Sequence, residues 1–181
     1  MTPTLHAATI AALDDALARR ENWCGETHLQ KVTYFLQEML DVPLGLAYIL
    51  YKHGPFSFEL RDRLATMKAD GILEAVRQPI PYGPRLLLTE FGHQLIDDND
   101  AQLCPIRPRL EFVAERLAPM GVTELERVAT AHWVLKKVAP QAPPEERARQ
   151  LVELKPHIQL AQAIDATGQV DAMRVQAAPV L

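Results

Sequence analysis

Cysteine is scarce in this chain of 181 residues, which carries two, Cys24 and Cys104, with no second thiol or histidine at a metal-ligand spacing. That spacing signals neither a disulfide framework nor a zinc cluster, and free, buried thiols are expected. The six histidines, His6, His28, His53, His93, His132 and His157, are scattered. No two share the three- or four-residue offset that sets imidazoles on one helix face, so no metal or other cofactor is expected. Long apolar runs are missing as well. None approaches the ~20 residues of a membrane helix, and Asp14 and Asp15 interrupt any basic-then-apolar leader pattern, so the expected compartment is the cytoplasm and no membrane partner is expected. A phosphate-cradling glycine loop and a Gly-x-Ser-x-Gly elbow are both absent.

An excess of basic charge is lacking too. The net charge is -4, and residues 1–104 hold 9 Lys/Arg against 14 Asp/Glu, residues 105–181 10 against 9. A duplex-binding protein normally carries a cationic face that replaces phosphate counterions, so DNA is the weaker partner class. What the chain does have is apolar content, 48% of residues, enough to bury a core.

Residues 4–20 place Leu5, Ala8, Ala12, Leu13, Ala16 and Leu17 on one helical stripe, with Asp14, Asp15, Arg19 and Arg20 opposite. A second helix, capped by Thr27, carries Leu29, Val32, Phe35, Leu36, Met39 and Leu40 and ends before Pro43. Leu44 to Tyr51 reads as a buried strand before the Gly54-Pro55 corner. Gly54 reaches backbone angles closed to other residues, Pro55 fixes the next one, and Ser57 caps a third helix that stops at Asp70-Gly71. Ile72–Arg77 and Arg85–Thr89 form a hairpin with a proline-rich tip, Gln78 to Pro84.

Thr89 caps a further helix, and the acidic break Asp97-Asp98-Asn99-Asp100 marks the expected domain boundary. Helices follow over 109–117, 123–138 (with Thr123 and Glu126 as a capping box), 144–155 and 157–166, and the segment from Gly168 reads as a weakly patterned tail. The expected fold is therefore mostly α with a small β-hairpin: a winged-helix-like domain over 1–100, a helical bundle over 101–170 and a flexible tail over 171–181.

The residues expected to contact a partner protein or DNA are Lys52 and His53 beside the corner, Arg61, Arg63 and Lys68 on the third helix, and Arg77 and Arg85 on the hairpin. Gly54, Pro55 and Ser57 are the structural corner. Glu59 and Asp62 oppose phosphate on the same helix, and residues 41–56 hold the second and third helices too far apart for a standard helix-turn-helix. Cys24 lies four residues before His28, which leaves a thiol-and-base enzyme as a third, weaker reading. Trp133, with Val128 and Leu135, offers either a homodimer seam or interior packing.

Leu29-Gln30-Lys31-Val32-Thr33-Tyr34-Phe35-Leu36, Tyr51-Lys52-His53-Gly54-Pro55-Phe56-Ser57, and Leu64 followed by Asp70-Gly71-Ile72-Leu73 resemble the Leu-Gln-Lys helix and Tyr-Gly-Pro corner of YwgA-like proteins and Panacea (SocA-like) antitoxin domains. Residues 125–134 and 151–156 are similar to the helical C-terminal part of the YwgA-like proteins. His53 departs from the pattern, standing where an aromatic is common. The resemblance implies a winged-helix-like module without catalysis, from toxin-antitoxin or defence-associated operons, whose partner is a toxin or defence protein. A DNA-binding transcriptional regulator is the alternative.

Overall fold

The structure, a computed structural model, describes residues 1–20, 25–80 and 83–181. Helix α1 (Pro3–Ala18) opens with Pro3 in its first turn, where a missing N–H costs nothing, and Thr2 caps it. Helix α2 (Glu26–Glu38) follows. A short hairpin then pairs β1 (Ile49–Tyr51) with β2 (Gly54–Phe56), in the register Ile49 to Phe56 and Tyr51 to Gly54. Helix α3 (Phe58–Ala69) is capped by Ser57, whose hydroxyl accepts from the Leu60 amide at 3.2 Å. A second hairpin pairs β3 (Leu73–Val76) with β4 (Arg85–Leu88), and an isolated bridge joins Arg85 to Gly25 at the start of α2.

The rest is helical: α4 (Glu90–Asp98, capped by Thr89), α5 (Asp100–Leu103), α6 (Arg107–Leu117), α7 (Val122–Trp133), which runs on into a π-helical stretch over Val134–Val138, α8 (Pro144–Leu154) and α9 (Leu160–Ala177). The fold is thus mostly α with two small antiparallel hairpins. No described helix is long and apolar enough to cross a membrane.

Helix α2 is the axis of this arrangement. It touches α1, α3, α6, α7 and β2, so its apolar stripe and also Gln30, Lys31, Thr33 and Tyr34 are buried. One core cluster draws on Ala8 through Ala177 without a gap at residue 100. Helix α1 packs on α4, α5 and α6, and Arg19 and Arg20 both reach Glu111, at 2.8 and 2.6 Å, tying α1 to α6 across the acidic break. Residues 97–100 turn the chain between two short helices.

Several expectations are corrected. The strand expected over 44–51 is shorter, with Leu44 and Leu46 buried in irregular chain and pairing confined to 49–51. Asp14 is buried because α1 is covered on more than one side. Thr27 and Thr123 do not cap; Gly25 and Gly121 occupy those positions, so both helices start earlier than expected. Cys104 is exposed, since it opens a surface 3-10 turn. From Gly168 on, the chain continues α9 where a tail was expected, burying Val170, Met173 and Ala177. Arg147, pinned bidentately to Asp171 at 3.0 and 2.6 Å, fastens that helix to α8.

Two glycines test this packing. A methyl on Gly92 would meet the Leu88 side chain at 2.4 Å and the Ile72 carbonyl at 2.5 Å, whereas one on Gly168 meets nothing within 4 Å. Gly92→Ala is expected to destabilise the protein by about 1–3 kcal/mol through overpacking. Gly168→Ala should stabilise it by about 0.5–1 kcal/mol, as alanine does in a helix interior. Urea unfolding midpoints of the two variants check both, and a neutral Gly168→Ala would contradict the helical assignment of this segment.

Candidate functional site

The corner at residues 51–57 is held by side chains from three distant stretches of chain. From α2, Gln30 donates to the Ser57 carbonyl and accepts from the Ser57 amide, both at 2.9 Å. Its neighbour Lys31 donates to the Pro55 carbonyl at 3.0 Å. Lys155, at the end of α8, donates to the carbonyls of Tyr51 and Lys52 at 2.7 and 2.6 Å. Glu126 of α7 meets the His53 ring at 3.2 Å. Gly54 takes φ +83, and a Cβ there would lie 3.0 Å from the Thr130 hydroxyl, so glycine is required both by conformation and by the close passage of α7.

Lys31 is 2% exposed. Burial pushes its ammonium down to about 8, an effect the nearby Glu126 carboxylate opposes and the Lys155 ammonium reinforces. Lys155 is shifted the same way, by burial, with Glu126 again opposing. A buried charge is tolerated where it is paired and hydrogen-bonded, and these two lysines use theirs on backbone carbonyls of the corner.

The clamp presents an aromatic cluster. Tyr51 and Phe58, 53% and 42% exposed, close a triangle with half-buried Phe56, with ring centroids 5.1–5.8 Å apart. The Arg61 guanidinium lies 5.1 Å over the Phe58 ring. Such contacts align planar groups at modest cost in side-chain freedom.

The structure separates the residues expected to act together. Lys52 and His53 are exposed beside the aromatic triangle, and Arg61 is its border, also paired with Asp62 at 2.8 Å. Arg63 is half-buried on another side of α3 and contacts His6 of α1. Lys68 is half-buried two turns beyond Arg61, and Arg77 is exposed one residue past β3. Arg85 is half-buried at the loop end of the hairpin, opposite Val76. These seven residues do not form one face. Of the corner residues, Gly54, Pro55 and Ser57 are buried.

The pairing of Cys24 with His28 lies outside the described residues, as do Pro81 and Tyr82 of the hairpin tip. His28 itself is buried, and burial lowers its ring to about 4. No group of three acidic, histidine or cysteine side chains among the described residues is placed to hold a metal. Trp133 packs against the core beside Tyr34, with Val128 and Leu135 buried, which is the interior use of that segment.

Sequence reasoning missed Gln30, Lys31, Glu126 and Lys155 as the clamp. The first two carry a readable signal, polar residues beside the core stripe of an apolar helix, while Lys155 lies 104 residues from Tyr51 with no local mark. No family model matches the chain, and no curated protein matches it.

Two predictions follow from this geometry. Gln30→Leu strands two buried backbone groups of Ser57 and is expected to cost about 2–4 kcal/mol in a denaturation series. His28 and His132, the latter sharing a 2.9 Å hydrogen bond with Tyr34, are held by burial at about 4 and about 3. Both folded values lie below the unfolded 6.5, so the unfolded chain binds more protons at acid pH. Stability contributed by these neutral rings is complete above pH ~6.5 and drains away as pH falls through ~4 and ~3, on the order of several kcal/mol in total. A pH series of unfolding free energies checks this, and His132→Gln should flatten the acid limb.

Proposed function

We propose that the chain is a non-enzymatic interaction module, antitoxin-like or defence-associated, that docks a partner protein on the aromatic triangle of Tyr51, Phe56 and Phe58. The observation that carries this is an exposed aromatic cluster on backbone held rigid by buried hydrogen bonds. Large, pre-ordered aromatic side chains with an arginine beside them are the typical anchors of protein interfaces. Lys52, His53 and Arg61 form the polar rim around them.

The order α1, α2, α3 and then the β3–β4 hairpin, with the Gly25–Arg85 bridge at the loop end of the hairpin, supports a winged-helix-like N-terminal part. It also supports the resemblance to YwgA-like and Panacea domains; in this chain the first hairpin stands between the second and third helices. The helical C-terminal part then serves as a brace, since Glu126 and Lys155 fasten the docking corner from behind. The partner that accords with this reading is a toxin or defence protein encoded beside the gene, and the site of action is the cytoplasm.

The DNA-binding alternative draws less support. Arg61 is committed to Asp62 and Phe58, Arg63 to His6, and the remaining cations are dispersed.

Co-expression with the product of the adjoining gene, followed by calorimetry of the complex, tests the proposal. Tyr51→Ala and Phe58→Ala should each weaken binding by about 2 kcal/mol, roughly thirtyfold, with little loss of stability because both rings are exposed. Unchanged affinity in both variants would remove the triangle as the docking surface. Tight binding to upstream DNA with a steep salt dependence would favour the regulator reading.

A further inference from the structure

A cleft of about 790 Å³ opens between the end of α2, the π-helical end of α7 and the last turns of α9. His132, in the last turn of α7, lines it while only 2% exposed. Its Nδ1 lies 2.9 Å from the hydroxyl of Tyr34, which is fully buried. Nε2 makes no hydrogen bond among the described residues and, unlike the Nε2 atoms of His6 and His28, is not sealed in the interior. The ring meets the outside through this cleft, so Nε2 is the atom that a ligand there would touch.

The proton on that ring can be placed. A buried hydroxyl needs an acceptor, and Nδ1 of His132 is the one within reach of Tyr34 among the described residues. The Tyr34 O–H therefore donates to Nδ1. Burial lowers the imidazole to about 3, with the cations of Lys136, Arg174 and Lys137 adding to the effect, so the ring is neutral and its single proton is on Nε2. His132 thus presents a fixed N–H donor to the cleft.

The charges around this donor are unevenly committed. Glu38 is held by Lys137 at 3.6 Å and by the Gln37 amide at 2.9 Å, and Asp171 is chelated by Arg147. Asp41, exposed at the rim, is the remaining carboxylate among the described acidic side chains of the lining. Arg174 is exposed on α9 and pairs with no acidic side chain among the described residues. Lys136 spends one ammonium donor on the Glu38 carbonyl at 2.6 Å and keeps two. It stands on the π-helical stretch, a wide turn of the kind that recurs at functional sites. Met39, Leu135 and Val175 supply apolar wall.

A neutral N–H at the base, cations beside it and an apolar wall suit a single negative charge on an apolar body. We propose that this cleft binds a small organic carboxylate. One carboxylate oxygen accepts from Nε2 of His132, the other is met by Arg174 and Lys136, and the apolar body lies along Met39, Leu135 and Val175. A phosphate dianion would set a second charge against Glu38, Asp41 and Asp171, which favours the monoanion. Tyr51, Phe56 and Phe58 do not line this cleft, so the proposal does not depend on the docking surface.

The experiment titrates the full nitrogen-labelled chain with hexanoate, hexanamide and hexyl phosphate, following the ring nitrogens of His132 and the backbone amides by NMR. In the free protein the His132 ring should show its proton on Nε2. Hexanoate should shift Nε2 and the amides of Leu135 and Lys136 saturably, and hexanamide, which lacks the charge, should bind about tenfold more weakly or worse. Arg174→Gln removes an exposed donor without touching the core, so the variant folds and should lose about tenfold in hexanoate affinity, while Arg174→Lys, which keeps the charge, should lose less. Tyr51→Ala should leave hexanoate binding as it was, which separates a failure of this site from a failure of the docking surface. A proton on Nδ1 in the free protein, equal binding of hexanoate and hexanamide, unchanged affinity in Arg174→Gln, or no shift with any probe overturns the site. Tighter binding of hexyl phosphate than of hexanoate overturns the carboxylate as the ligand class.

Discussion

The corner at residues 51–57 takes hydrogen-bond donors for its carbonyls from charged and amide side chains. Lys31, Gln30 and Lys155 each spend buried polar atoms on this one bend. Two ammonium groups in the interior would be prohibitive on their own, and the carboxylate of Glu126 between them makes the arrangement tolerable. Because the clamp comes from α2, α7 and α8 together, the first hairpin and the start of α3 are rigid relative to the core. The exposed rings of Tyr51 and Phe58 inherit that rigidity. A surface built this way loses little freedom on binding, which is where rigid interfaces gain affinity.

The same clamp explains why α2 is the most enclosed helix. Its Leu29, Val32, Phe35 and Leu36 face the core in the ordinary way, while Gln30 and Lys31 point at backbone that has to be satisfied. Helix α7 contributes on the opposite side: Gly54 passes so close to Thr130 that no side chain fits between them. Packing and polar satisfaction therefore fix the corner independently, one by excluding bulk and the other by supplying donors.

Much of the fold was legible because its signals are local. Ser57 and Thr89 cap the helices that follow them, and Asp70-Gly71 ends α3 with Gly71 at positive φ. Where a glycine supplied the cap, as at Gly25 and Gly121, the nearby threonines misdirected the reading by one or two residues. The end of α9 was unreadable for a different reason: its buried face includes Ala163, Ala166, Thr167 and Ala177, side chains too small to raise an apolar stripe above the background. For the site, the corner and its motif stood out in the sequence, but the cations expected to cooperate are scattered by the helix turn, with Arg61 and Arg63 on different sides of α3. Lys155 acts on a residue 104 positions away in the chain and Glu126 on one 73 away, and no spacing rule reaches that far.

That long reach orders events during synthesis. The bend is translated early, yet its last two donors arrive on a lysine made 103 residues after Lys52. Until α8 has emerged and folded back, the carbonyls of Tyr51 and Lys52 face water and the aromatic rings stand on loose backbone. Non-local closure of this kind is slow compared with helix formation. A nascent chain stalled before Lys155 lacks both of these donors, so the bend is complete only once the end of α8 has been made.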